Sequence, residues 1–143
     1  MANASDAPGA VARLAAPERL ISLYLRLLAL AHLSVGILYW LEILSLPSMP
    51  QGALLTLTFA ERAEAIAYAV LDPIAAVGLW LTTSWGVVVW MILAVSRMII
   101  VSGLVGENDP DLVELAVHAA SIAAYLVLWR MARAAAARRE QLG

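Results

Sequence analysis

Cysteine is absent from this chain, which excludes a disulfide framework, thiol catalysis and any cysteine-based metal site. Lysine is absent too. All 9 basic residues are arginines, which serve as topology signals or lipid-headgroup contacts as well as lysines do. Charged residues are only 14% of the chain and sum to a net charge of -2, so nucleic acid is not an expected partner. The first segment, "MANASDAPGAVARLAAPER", lacks the short basic start and apolar stretch of a cleaved leader and is expected to be retained and flexible. Nucleotide loops, nucleophile elbows, Ser/His/Asp groupings, HExxH and redox pairs are all missing. The chain therefore reads more readily as a non-enzyme, and any active site would have to lie among its apolar segments.

What is present is apolar: 63% of the 143 residues are hydrophobic, with a mean hydropathy of +0.85. A soluble globule of this size cannot hide that much apolar surface. The apolar residues gather into four runs near the roughly 20 residues that cross a bilayer core of about 30 Å. The expected fold is all-α, a polytopic four-transmembrane-helix bundle with spans at about 20–43, 63–81, 85–104 and 112–132. A flexible cytoplasmic segment over 1–18, a transmembrane domain over 19–134 and a basic tail over 135–143 complete the expected organisation. "SLPSMPQG" should end the first span, "ALLTLTF" is a candidate interfacial segment, and "TTSW" makes spans two and three an antiparallel hairpin. "GENDPD" disfavours helix, with Asp111 placed to cap the fourth span. The terminal segments carry Arg13, Arg19, Arg130, Arg133, Arg138 and Arg139, whereas the acidic third loop carries Glu107, Asp109 and Asp111. Both termini are therefore expected in the cytoplasm, with Arg62 as the exception to the charge rule.

Within "YAVLDPIAAVGLW" an ionisable Asp72 precedes Pro73 inside an otherwise apolar run. Counted from the tight link, Asp72 and Arg97 lie about 11 and 12 residues away, both roughly 17 Å deep at 1.5 Å per residue. A lone charge at that depth is disfavoured by about 3 kcal/mol, so an Asp72–Arg97 ion pair is expected. His32 and His118 fall at comparable levels, which makes a polar layer of Asp72, Arg97, His32, His118 and Tyr68 the candidate site. Asp72 shares a helical face with Ala65, Tyr68, Ala69, Ala75, Ala76 and Leu79, so Tyr68 is placed to donate to it. Glu114 and His118, four apart, form a candidate local pair.

Against each functional reading stands a plainer one. Asp72 and Arg97 read first as a lock that fixes helix packing, ahead of a role in proton, ion or solute movement, and the histidines first as satisfied core or interfacial residues. Tyr24, Tyr39, Trp40, Trp80, Trp85, Trp90 and Trp129 read as an aromatic belt at the interfaces. Histidines on two spans can ligate a b-type haem, but nothing in the sequence turns His32 and His118 toward each other, so no haem is expected. Glu61 and Glu64 lie too near the interface to complete a zinc site, and no bound metal is expected.

The pattern "LYLRLLALAHLSVGILYW", followed by three further spans and an arginine-rich end, resembles small inner-membrane proteins of alphaproteobacteria grouped as a domain of unknown function. That resemblance covers nearly the whole chain and implies a multi-pass location in a bacterial inner membrane, but no activity. In size and layout the chain also resembles the four-helix quinol-linked membrane families, whose functional residues do not map onto His32 or His118. The leading reading is a small accessory or scaffold subunit that contacts lipid and another membrane protein or further copies of itself. Repeated alanines such as Ala116, Ala120 and Ala124 suit such contacts. The alternative, in a different class, is a small transporter or proton-coupled protein using Asp72 and Arg97, and a haem-binding electron-transfer subunit is the third.

Overall fold

The structure, a computed structural model, describes residues 7–44, 58–104 and 110–142. The expected first loop and interfacial segment over 45–57 and most of the acidic loop fall outside the described residues. Four helices follow one another: α1 (Ala7–Ile43), α2 (Phe59–Trp80), α3 (Ser84–Val101) and α4 (Leu112–Leu142). All four are long and apolar enough to cross a membrane. Each packs against the next, and α4 packs back on α1, which closes a four-helix bundle. Antiparallel succession puts both chain ends and the α2–α3 turn on one face, here the terminal face. The starts of α2 and α4 and the ends of α1 and α3 lie on the opposite, loop face.

Helix starts are set by polar side chains that satisfy otherwise unpaired amides. Thr58 caps α2 in a capping box: its hydroxyl accepts from the Glu61 amide at 3.4 Å, and its own amide donates to Glu61 Oε2 at 2.7 Å. Thr83 caps α3 through the Gly86 amide at 3.4 Å and donates its hydroxyl to the Gly78 carbonyl at 2.9 Å. Asp111 caps α4, accepting from the amides of Val113 and Glu114 at 3.0 Å each. α1 runs through Pro17 from Ala7, so its helix begins well ahead of the first apolar run.

Interhelical packing rests on small residues, as it must where lipid removes any hydrophobic advantage of helix over solvent. A Cβ on Gly86 would lie 2.2 Å from the carbonyl carbon of Gly78, so the α2–α3 backbones touch there. A Cβ on Gly36 would lie 2.6 Å from Pro73 Cδ, marking a similar approach of α1 to α2. The buried face of α2 comprises Ala65, Tyr68, Ala69, Asp72, Ala75, Ala76, Gly78 and Leu79, the stripe read from helical periodicity with Gly78 added. Leu25, Ala29, Leu79, Trp90 and Leu93 pack into the same core. The outside is studded with exposed Leu, Ile, Val and Trp, a surface whose natural solvent is hydrocarbon.

Candidate functional site

Asp72 is 3% exposed and is the one buried charged residue among the described residues. Its partner is His32 of α1, whose Nδ1 lies 2.7 Å from Oδ1. An ionised carboxylate only accepts, so Nδ1 carries the proton in this contact, and in a neutral imidazole Nε2 is then the basic nitrogen. The two residues meet because α1 and α2 are held close on either side, by Ala29 against the core above one end and Gly36 against Pro73 at the other.

The expected Asp72–Arg97 ion pair is not formed. Gly78 faces Gly86 and the Tyr68 hydroxyl meets Ser96 Oγ at 3.0 Å, two pairings symmetric about Thr82. That register sets Asp72 level with Ile92, and Arg97 lies five residues further along α3, about 7.5 Å nearer the loop face. The turn is tighter than "TTSW" suggests, because Thr82 adopts a left-handed φ of 53° and α3 begins at Ser84. For the same reason Tyr68 bonds Ser96 rather than Asp72.

Arg97 is instead where four helices meet. Its guanidinium lies 3.7 Å from Glu64 of α2 and 3.9 Å from Glu114 of α4. It donates to the Tyr39 hydroxyl of α1 and sits 4.0 Å above the Tyr68 ring. Tyr39 and Tyr68 stack with centroids 6.0 Å apart. His118 does pair with Glu114, but through the backbone: its Nδ1 donates to the Glu114 carbonyl at 2.9 Å, while the Glu114 carboxylate turns to Arg97.

Most of these groups, though not Glu64 or Tyr39, line one cavity of about 470 Å³ between the helices. His32 comes from α1, Tyr68 and Asp72 from α2, Arg97 from α3, and Glu114, His118 and Ser121 from α4. Every residue proposed for the polar layer borders it, although in two tiers rather than one. Near the loop face, Glu64 and Glu114 are 31% and 36% exposed, so the Arg97 tier lies at the surface of the bundle whereas Asp72 is buried. Toward the terminal face the cavity ends on Trp90, 1% exposed, which packs edge-on against Tyr125 at 5.6 Å. Tyr24 seals the neighbouring seam by donating to the Ser121 carbonyl at 2.7 Å.

Sequence reasoning missed Glu64, Tyr39, Ser96 and Ser121. The signal for Glu64 was present, since Glu64, Tyr68 and Asp72 recur every four residues on one face. Trp90 is buried in the core, and Tyr24 and Tyr39 are half-buried and hydrogen-bonded to neighbouring helices. Among the described residues no three His, Cys, Asp or Glu side chains gather to hold a metal ion.

The fold and cavity define a class: a small four-helix protein of membrane type with a buried acid–imidazole pair and a partly exposed arginine tier above it. The family of unknown function DUF6163 matches residues 19–136, and the chain belongs to that family. No curated protein and no solved structure matches it significantly.

Proposed function

We propose that the protein is a proton-coupled integral membrane protein whose proton site is the His32–Asp72 pair. The observation that carries this reading is the cavity of about 470 Å³ that brings an acid, two imidazoles and a guanidinium from all four helices to membrane depth. A purely structural ion-pair lock requires no such space, and intramembrane ionisable groups on a polar cavity mark proton or solute pathways. A proton arriving from the loop face adds to the basic Nε2 of His32, and the resulting imidazolium is held by Asp72 at 2.7 Å. Onward transfer of the Nδ1 proton to the carboxylate leaves a neutral pair, an Nε2–H imidazole beside a carboxylic acid, and loss of the acid's proton completes the relay. The Trp90 floor means that one chain is no open pore, so passage requires rearrangement or assembly. Arg19, Arg26, Arg130, Arg133, Arg138 and Arg139 lie toward the terminal face, which supports cytoplasmic termini in a bacterial inner membrane.

Proton flux into liposomes containing the protein, read with a trapped pH dye under an imposed potential, tests the proposal. Flux should fall in Asp72→Asn and His32→Gln and persist in Glu140→Gln on the exposed end of α4. Wild-type flux equal to that of empty liposomes would sink it. A second reading, an accessory subunit in a larger or homo-oligomeric assembly, is favoured by the exposed Ala116 and Ala120 on α4. Mass measurement after gentle detergent extraction tests it, a strictly monomeric species counting against it.

A further inference from the structure

An apolar groove of about 350 Å³ runs along the outer seam between α1 and α2, separate from the central cavity. Its walls are Leu30, Leu33, Val77 and Trp80, and they stand up because the floor residues are only Ala29 and Ala76. Trp80, next to the α2–α3 turn, sets one end of the groove at the terminal face. Arg26 caps that end, with its guanidinium carbon 5.8 Å from the Trp80 ring centre. The same arginine joins Arg19 and Ser22, spaced three and four residues apart on one stripe of α1, around a hollow of about 390 Å³. Glu18 also borders that hollow, but Arg139 engages its carboxylate at 3.0 Å. The hollow therefore presents two arginines and a hydroxyl at headgroup level, and the apolar groove leads from it toward the bilayer centre.

We propose that this composite site binds one anionic phospholipid of the leaflet on the terminal face. The phosphate is held by Arg19, Ser22 and Arg26, and one acyl chain lies in the groove against Trp80. Charge complementarity selects the headgroup and the small-residue floor admits the chain. The inference is independent of the proton reading, since none of these residues borders the central cavity.

Brominated lipids quench tryptophan only on contact, so the test reconstitutes the full chain in phosphatidylcholine vesicles containing increasing brominated phosphatidylglycerol. A saturable quenching phase is expected at low phosphatidylglycerol content. It should vanish in Trp80→Phe and shift to roughly 30-fold higher lipid in Arg19→Gln/Arg26→Gln, the size expected for two lost arginine attractions. Both arginines are exposed, so the double variant should keep its helical content, which circular dichroism checks. An identical phase with brominated phosphatidylcholine would reduce the site to ordinary annular lipid and overturn the proposal. Persistence of the phase in the double arginine variant would do the same. Displacement by inorganic phosphate would assign a soluble-anion site instead, and disulfide dimers of Leu30→Cys would assign the groove to a second copy.

Discussion

Replacing His32 with alanine strips Asp72 of its 2.7 Å partner while leaving the carboxylate 3% exposed among apolar neighbours. Removing one member of a buried pair costs about 3–5 kcal/mol, because the remaining charge is neither paired nor hydrated. The adjoining cavity of about 470 Å³ can admit water to the carboxylate, which moves the expectation to the lower end. That is about 3 kcal/mol, or roughly 100-fold in the folded-to-unfolded ratio. Asp72→Asn keeps the shape and an oxygen to accept from Nδ1, so it should cost only about 0.5–1.5 kcal/mol. The double variant His32→Leu/Asp72→Leu removes both polar groups and should recover to within about 1 kcal/mol of the parent. Equilibrium unfolding in mixed micelles of mild and denaturing detergent, followed by tryptophan fluorescence, orders the three. Should His32→Ala prove no worse than Asp72→Asn, or the double variant as damaging as His32→Ala, the buried-charge reasoning is wrong.

At the α2–α3 crossing, Gly86→Ala should destabilise by about 3 kcal/mol in the same assay, since its Cβ meets the Gly78 backbone at 2.2 Å and no flexible side chain can yield. Arg97→Met removes the cation shared by Glu64, Glu114 and Tyr39 and should cost about 2 kcal/mol, with amide exchange rising first in the loop-face turns of α4. Thr58→Ala breaks the capping box and should cost about 1 kcal/mol, seen as faster exchange in the first turn of α2 alone. Because the chain has no native cysteine, Leu104→Cys and Glu140→Cys give a clean topology test. With both termini cytoplasmic, an impermeant external reagent should label the first and spare the second, and the reverse pattern would invert the proposed orientation.

Much of the helix layout was legible because each apolar run carries its own boundaries. The α2 stripe follows from a 3.6-residue period, and Asp111 announces a helix start by its chemistry. Equal depth of His32 and Asp72 was legible as well, although only tertiary packing turns them into contact. What failed was fine register. Depth counting assumes a turn centre, and an error of two residues there displaced Arg97 by more than one helical turn relative to Asp72. A guanidinium on a long stem then chooses among acids that sequence cannot rank, and Glu64 had been discounted as interfacial. The inward face of α4 was not legible, since alanines surround it on every side and leave almost no periodic signal.

The same contrast explains why the bundle contains a cavity. Helices α1, α2 and α3 are joined by backbone-level contacts at Gly36–Pro73 and Gly78–Gly86 and by the Ala75 and Ala76 surface, all of which require close approach. Helix α4 offers nothing comparable: the most apolar stretch of its span buries none of its residues. It is attached at intervals, by Glu114 to Arg97, by Ser121 to Tyr24, by Tyr125 to Trp90 and by Arg139 to Glu18. The loop-face ion pairs, at 3.7 and 3.9 Å and partly exposed, are individually worth no more than about 1 kcal/mol. In lipid, where van der Waals contact rather than hydrophobic expulsion decides helix association, a helix held at such points stands off from its neighbours. The cavity is the space left by that stand-off, with α4 as one of its walls. Tyr68 stands between the two tiers, one turn from Asp72 on α2, with its ring under Arg97 and its hydroxyl on Ser96, and on the proposed proton reading it is the residue placed to pass a charge change from the deep pair to the tier that fastens α4.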